Sequence, residues 1–117
     1  MIERFGKRFT SRVFTEAEED RCHKRRDPYS CFAARFAAKE AVMKALSSGW
    51  GSGVRFKEIE VVLGERGAPR IELHEGARKR ATTLGVDKVL VSLTHEADMA
   101  IAQAVATGHN SLRGQDP

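Results

Sequence analysis

Apolar residues in the first half of the chain recur with the period of an α-helix. At the start of the chain they fall on one helical face, at Ile2, Phe5, Phe9 and Val13. A polar helix is then predicted from Thr15 to about Arg26, because Thr15 and Glu18 have the spacing of a capping box. The longest predicted helix is Phe32–Gly49, which is rich in Ala, the strongest helix former, and has no Gly or Pro before its last residue.

The second half of the chain alternates apolar and polar residues with period two, which is typical of half-buried strands. The pattern predicts two hairpins and a short basic helix between them. The hairpins are Phe56–Leu63 with Arg70–His74 and Val89–His95 with Met99–Val105, and the helix is Gly76–Leu84. The last strand has a face of small residues, at Ala100, Ala102 and Ala104. We therefore predict an α+β fold in which the long Ala-rich helix packs on an antiparallel sheet of two hairpins.

Composition limits the kind of protein. A chain of 117 residues with 41% hydrophobic and 31% charged residues is predicted to form one soluble domain, residues 1–106, followed by a flexible polar tail, residues 107–117. No apolar run approaches the length of a membrane helix, and no signal-peptide pattern begins the chain, so we expect a cytoplasmic protein. Because Cys22 and Cys31 lack Cys-x-x-Cys spacing, free thiols are expected there rather than a disulfide.

The net charge of +4 favours an anionic partner, whether nucleic acid, an acidic protein or a phosphorylated small molecule. The first helix carries Arg4, Arg8 and Arg12 at helical spacing. This ridge is either a solvated face or a docking strip for an acidic protein. A second basic cluster comprises Arg21, Lys24, Arg25 and Arg26. No aromatic residue is interleaved with it, so we expect solvated surface or a secondary protein contact rather than nucleic-acid binding.

Two positions have candidate chemistry. Phe36, Glu40 and Lys44 recur every fourth residue, which places a carboxylate one turn from an ammonium group. From spacing alone, the simplest interpretation is a surface ion pair worth about 0.2–0.5 kcal/mol. His95 ends a predicted strand, where a side chain can point into a cleft, although a lone histidine is more often structural.

The segment Arg35–Leu46, RFAAKEAVMKAL, resembles the signature of the holo-acyl-carrier-protein synthases, which are small 4'-phosphopantetheinyl transferases. Ser92–His95, SLTH, resembles the S-[IL]-[ST]-H block of that family, and the resemblance extends from Arg4 to about Val105. It implies transfer of the phosphopantetheine arm of coenzyme A to a serine of apo-acyl carrier protein in fatty acid biosynthesis, with release of 3',5'-ADP. It also implies a homotrimer with sites between subunits.

The resemblance assigns roles to particular residues. Glu40 would hold Mg²⁺, with Mn²⁺ as an alternative, and would orient or deprotonate the serine; Lys44 would neutralise phosphate charge. Arg8 and Arg12 would dock the acyl carrier protein. The residues implied to bind coenzyme A are Arg35, Lys44, Ser48, Gly49, Pro69 and His95.

One feature of the family is missing from this sequence. Family members begin with a strand that carries a metal-binding Gly-x-Asp, whereas this chain begins within the first helix. Two interpretations stay open. Either the chain starts at an internal Met, or the protein is a truncated, catalytically impaired module that binds the carrier.

Overall fold

The computed structural model describes residues 2–46, 53–64, 67–96 and 99–108. The helices are α1 (Ile2–Val13), α2 (Glu16–His23), α3 (Pro28–Ala45) and α4 (Glu75–Leu84). The strands are β1 (Ile59–Leu63), β2 (Pro69–Leu73), β3 (Lys88–Glu96) and β4 (Met99–Thr107), and a 3₁₀ turn, Phe56–Glu58, precedes β1. The predicted α+β order of elements is confirmed. None of the described helices combines the length and apolar character that a membrane span requires.

Helix α1 bends at Gly6, whose φ of 62° lies in the left-handed region that glycine adopts without strain. Beyond the bend, Phe9 is half-buried and Val13 is buried, as the apolar stripe predicts. The side chains of Ile2 and Phe5 lie outside the described part of the chain. The prediction of one continuous helix is therefore wrong at Gly6. The side chain of Arg4, in the predicted basic ridge, also lies outside the described part of the chain.

Capping residues set the ends of α2 and α3. The hydroxyl of Thr15 accepts a hydrogen bond from the Glu18 N–H at 3.1 Å, and Glu18 Oε1 accepts one from the Thr15 N–H at 2.9 Å, which confirms the predicted capping box. Helix α3 starts earlier than predicted, since Asp27 caps it and Pro28 occupies its first turn. It ends at Ala45, and the predicted continuation through Gly49 falls on residues outside the description.

Each predicted hairpin forms its own antiparallel two-stranded sheet. Ile59 pairs with Leu73 in the first, and Lys88 pairs with Thr107 in the second. Helix α3 packs against β4, where alternate alanines are half-buried, as predicted. Strand β4 ends at Thr107, one residue after the predicted end of the domain at residue 106, and the boundary itself stays a prediction. Residues 109–117 of the predicted tail lie outside the description.

The buried apolar residues form two clusters, one on each side of α3. The cluster toward the hairpins comprises Val42, Met43, Leu46, Ile59, Ala77 and Ala81. The cluster toward α1 and α2 comprises Val13, Phe14, Cys22, Cys31 and Phe32. Helix α3 therefore lies between the two clusters, and its exposed positions are the few that neither cluster covers.

The prediction of free thiols is wrong, because Cys22 and Cys31 form a disulfide. The turn at Asp27-Pro28 folds α2 back onto α3 and brings the two Cα atoms to 5.3 Å, within the range that a disulfide requires. Both sulfurs lie in the helical cluster, where Cys22 is fully buried. Sequence spacing alone did not show that the two helices meet at these residues.

Candidate active site

The charged residues of α3 divide into a buried pair and an exposed pair. Arg35 and Lys39 are 4% and 0% exposed, whereas Glu40 and Lys44 are exposed. All four belong to the RFAAKEAVMKAL segment. The structure therefore separates the charges that hold the fold together from those that can meet a ligand.

Lys39 is held by three acceptors from three parts of the chain. Its Nζ lies 2.8 Å from Glu18 Oε1, and it donates to the carbonyl oxygens of Phe56 at 2.9 Å and Ile59 at 2.6 Å. An ammonium has three N–H groups, so each N–H of Lys39 has one acceptor. Burial lowers the pKa of Lys39, and the charge of Glu18 opposes that shift. No role for Lys39 was predicted from the sequence; the structure shows it to be a packing residue.

Glu18, the ion-pair partner of Lys39, forms a hydrogen bond with the backbone of β1. Glu18 Oε2 accepts the Val61 N–H at 2.7 Å, while Lys39 binds the carbonyl of Ile59. Side chains from α2 and α3 thus occupy hydrogen-bonding positions that would otherwise need a neighbouring strand. The pair fixes the position of α3, and hence of Glu40, relative to the first hairpin.

Glu40 and Lys44 lie one turn apart on the exposed face of α3, as the spacing predicts. No ion pair joins them, so the surface-pair interpretation does not describe this structure. Within the described residues, no other ion pair occupies either group. An exposed carboxylate beside an exposed ammonium can hold a hard cation and an anionic oxygen at the same time.

Arg35 points away from this exposed face, toward α2. Its Nη1 donates to Cys31 Sγ at 3.0 Å. Burial lowers the pKa of Arg35, although Glu18 raises it in part. Among the described groups its Nε has no hydrogen-bond partner, and the side chain lines a cavity of about 120 Å³ together with Arg21. Arg35 is therefore a buried donor, separate from the Glu40 surface.

Pro69 opens strand β2 and lines a groove of about 600 Å³ between β2, α4 and β3. The charged residues in its lining are three basic ones, Arg70, Arg78 and Lys88, and one acidic one, Asp87. None of the other predicted site residues that the structure describes lines this groove. Of the predicted coenzyme-binding residues with described side chains, Pro69 therefore lies in a different pocket from Arg35, and Lys44 lines neither.

The remaining predicted residues fall into two groups. Arg8 and Arg12 are exposed on α1 beyond the bend, one helical turn apart. Ser48 and Gly49 lie outside the described residues. His95 has a described backbone, which pairs with Ala100, but its side chain is not described.

Comparison with known proteins matches nearly the whole chain. The family model of the 4'-phosphopantetheinyl transferase superfamily matches residues 1–104. The holo-[acyl-carrier-protein] synthase of Desulforudis audaxviator is 48% identical over 106 residues, which cover 91% of this chain and 80% of that protein.

Solved structures agree with the sequence match. The holo-[acyl-carrier-protein] synthase of Neisseria meningitidis superposes with a TM-score of 0.82 at 30% identity, covering 91% of this chain and 85% of that one. The Helicobacter pylori enzyme, solved in complex with coenzyme A, gives a TM-score of 0.77 at 29% identity, covering 91% of this chain and 87% of that one. The chain therefore belongs to the holo-[acyl-carrier-protein] synthases of the 4'-phosphopantetheinyl transferase superfamily.

Proposed function

We propose that this chain transfers the 4'-phosphopantetheine arm of coenzyme A to a serine of an apo-acyl carrier protein. The serine oxygen forms a bond to the phosphorus that carries the arm, the pyrophosphate bond breaks, and 3',5'-ADP leaves. Relatives named for this reaction, together with a relative solved with coenzyme A bound, support the substrate pair. The observation that carries the proposal is that Glu40 and Lys44 are exposed on α3 and form no ion pair with any described residue.

Glu40 is proposed as the protein's carboxylate ligand for Mg²⁺, with Mn²⁺ as the alternative. A single exposed carboxylate fits such an ion, because Mg²⁺ is commonly bound by one or two carboxylates together with substrate phosphates and water. The bound ion supplies charge neutralisation at the diphosphate. Glu40 also orients the serine hydroxyl or accepts its proton, directly or through water, and Lys44 neutralises phosphate oxygens.

The nucleotide contacts are proposed for Ser48, Gly49, Pro69 and His95, with Arg35 as the weaker candidate. The excess of basic over acidic residues in the groove that Pro69 lines supports a phosphorylated ligand there, since Arg and Lys donate to phosphate oxygens. Among the described residues, no hydrogen-bond partner contacts the buried Nε of Arg35, and its side chain lines a cavity. These two features support Arg35 as a donor to a bound anion.

Arg8 and Arg12 are proposed to dock the acidic surface of the carrier. Both are exposed on one turn of α1, and no ion pair with a described residue occupies them. Long-range attraction of this kind mainly raises the association rate. The cellular setting we propose is cytoplasmic fatty acid biosynthesis, in which the active form is a homotrimer.

The test is the isosteric variant Glu40→Gln in a transfer assay with coenzyme A, apo-acyl carrier protein and excess Mg²⁺. The rate is expected to fall at least about 100-fold, because both metal ligation and proton transfer are lost. The matched control is Glu16→Gln, which removes an exposed carboxylate from α2 and should transfer normally.

Two outcomes would contradict the proposal. Transfer by Glu40→Gln at the wild-type rate would remove the assigned role of Glu40. Carrier binding by the wild type without transfer, even at high Mg²⁺, would favour the alternative that this chain is an impaired carrier-binding module. Carrier binding should be measured alongside transfer, so that these outcomes are separated.

A further inference from the structure

The first hairpin carries three metal-ligating side chains on one face. Glu60 on β1 pairs directly with Glu72 on β2, and His74 follows Glu72 by two residues. Alternate residues of a strand share a face, and directly paired residues across an antiparallel ladder share it too. The pleat therefore brings together two carboxylates and an imidazole. One donor atom from each lies within 4.8 Å of the others.

This spacing is close to what a small divalent ion requires. Zinc binds nitrogen and oxygen ligands at about 2.0–2.2 Å, so two ligands of a tetrahedral site lie about 3.3 Å apart. His74 Nε2 is already 2.9 Å from Glu60 Oε1. The third ligand, Glu72, lies within 4.8 Å of the other two, and its side chain is 42% exposed, so a small movement would bring it to a bound ion.

The contacts outside the three residues orient them. The hydroxyl of Thr15 donates to Glu60 Oε2 at 3.0 Å, which leaves Glu60 Oε1 facing His74. Arg70 holds Glu72 Oε2 at 2.7 Å. Such hydrogen bonds to the second carboxylate oxygen are the usual support of a metal ligand. Thr15 also caps α2, so the site would connect the hairpin to the helical layer.

The local charge distribution favours a cation. Two carboxylates directly opposite each other in an antiparallel pair repel and destabilise the strand pairing. Arg70 compensates the charge of Glu72, with which it forms an ion pair. A divalent ion between Glu60, Glu72 and His74 would neutralise both and keep an open position for water, since the His74 side chain is 44% exposed.

We propose that Glu60, Glu72 and His74 bind a divalent transition-metal ion of the zinc class. The imidazole sets the class, because nitrogen ligands suit Zn²⁺, Ni²⁺ and Cu²⁺, whereas Mg²⁺ prefers oxygen ligands only. The site is separate from Glu40, which is absent from the cluster. The bound ion would stabilise the hairpin and its contact with α2.

The test is calorimetric titration of the full chain with Zn²⁺, with Co²⁺ absorption to report the coordination number. One equivalent should bind, and thermal unfolding should shift upward with Zn²⁺ concentration. His74→Ala and the isosteric Glu72→Gln should each weaken binding at least about tenfold. Glu75→Gln removes an adjacent exposed carboxylate that is not in the cluster and should bind as the wild type does.

The outcomes that overturn the proposal are specific. The proposal is wrong if the wild type shows no saturable Zn²⁺ binding, or if it binds Mg²⁺ as tightly as Zn²⁺. It is also wrong if both variants bind Zn²⁺ as tightly as the wild type does. Circular dichroism verifies that each variant is folded. If His74→Ala does not fold, the Zn²⁺ affinity of Glu72→Gln alone tests the proposal. Glu40→Gln should retain Zn²⁺ affinity, and the two cluster variants should retain phosphopantetheine transfer, so failure of this site is distinguishable from failure of the proposed function.

Discussion

Among single residues, Lys39 depends most on its surroundings. It is fully buried, and its ammonium contacts Glu18 and two backbone carbonyls. A buried pair is not in itself strong evidence for stability, because both charges have left water. Removing one partner is different, since the other charge then remains buried without compensation.

We expect Lys39→Met to lower the free energy of unfolding by about 3–5 kcal/mol. Methionine fills a similar volume, but Glu18 loses its cation and the carbonyls of Phe56 and Ile59 lose their donor. Urea unfolding followed by circular dichroism measures the change. The matched control is Lys79→Met on α4, an exposed lysine whose replacement should change stability by less than about 0.5 kcal/mol. A loss below 1 kcal/mol in Lys39→Met would contradict the buried-pair account.

Lys39 also makes the free energy of unfolding depend on pH. Burial lowers the pKa of Lys39 below its usual 10.5, so the unfolded chain holds this proton to a higher pH than the folded chain does. Between the two pKa values the unfolded state binds more protons, and the contribution of Lys39 to stability therefore rises with pH. The stability difference between wild type and Lys39→Met should widen as the pH rises toward 10.5; a narrowing difference would contradict this sign.

The sequence predicted the placement of side chains where the geometry is local. Glu40 and Lys44 share a helical face by spacing, and the structure leaves both exposed on it. The sequence could not predict the burial and hydrogen bonds of Lys39, because the groups that Lys39 contacts lie in α2, the 3₁₀ turn and β1. Nor did it predict the Glu60–His74 contact, which depends on hairpin register. Contacts between residues distant in sequence can be identified only once the three-dimensional arrangement of the helices and strands is known.

At the scale of elements, helix α2 has few apolar residues and is held by specific attachments. Its buried residues are Glu18 and Cys22 only. Glu18 bonds to Lys39 and Val61, and Cys22 is joined to Cys31. A polar helix with so little buried surface gains much of its stability from such tertiary contacts. The disulfide should therefore contribute measurably to its position.

We expect reduction of the Cys22–Cys31 disulfide to lower the free energy of unfolding by about 2–3 kcal/mol, since it closes a short loop in the unfolded chain. Urea unfolding with and without a reducing agent measures this. A Cys22→Ala/Cys31→Ala variant is the control and should not respond to the agent. Two free thiols in the unreduced, unfolded protein, or identical unfolding curves in both conditions, would contradict the disulfide.

The sequence predicted which elements exist better than where they end. The two hairpins and the Ala-rich helix follow from periodicity, and the α2 capping box follows from Thr15 and Glu18. The predicted start of α3 at Phe32 was too late, because Asp27 caps the helix and Pro28 lies in its first turn. The bend at Gly6 was missed since one glycine does not interrupt an apolar stripe.

At the scale of the whole molecule, the second hairpin has one covered face and one open face. Alternate residues of β3 and β4 are half-buried against α3, while Leu90, Ile101 and Val105 on the opposite face are 51%, 47% and 56% exposed. Leu90 pairs directly with Val105. Adjacent exposed apolar residues on a sheet commonly mark a protein interface. This surface supports the proposed trimer.

The last prediction tests this surface. We expect sedimentation equilibrium of the wild type to give the mass of three chains, and Leu90→Asp/Val105→Asp to give the mass of one, because a buried carboxylate without a partner is costly. Leu84→Asp on α4 replaces a leucine that is 42% exposed outside this sheet and should leave the trimer intact. If active sites lie between subunits, the double variant should also lose transfer while retaining its helix and strand content. A wild type that sediments as one chain, or equal disruption by Leu84→Asp, would show that the hydrophobic face of the second hairpin does not drive assembly.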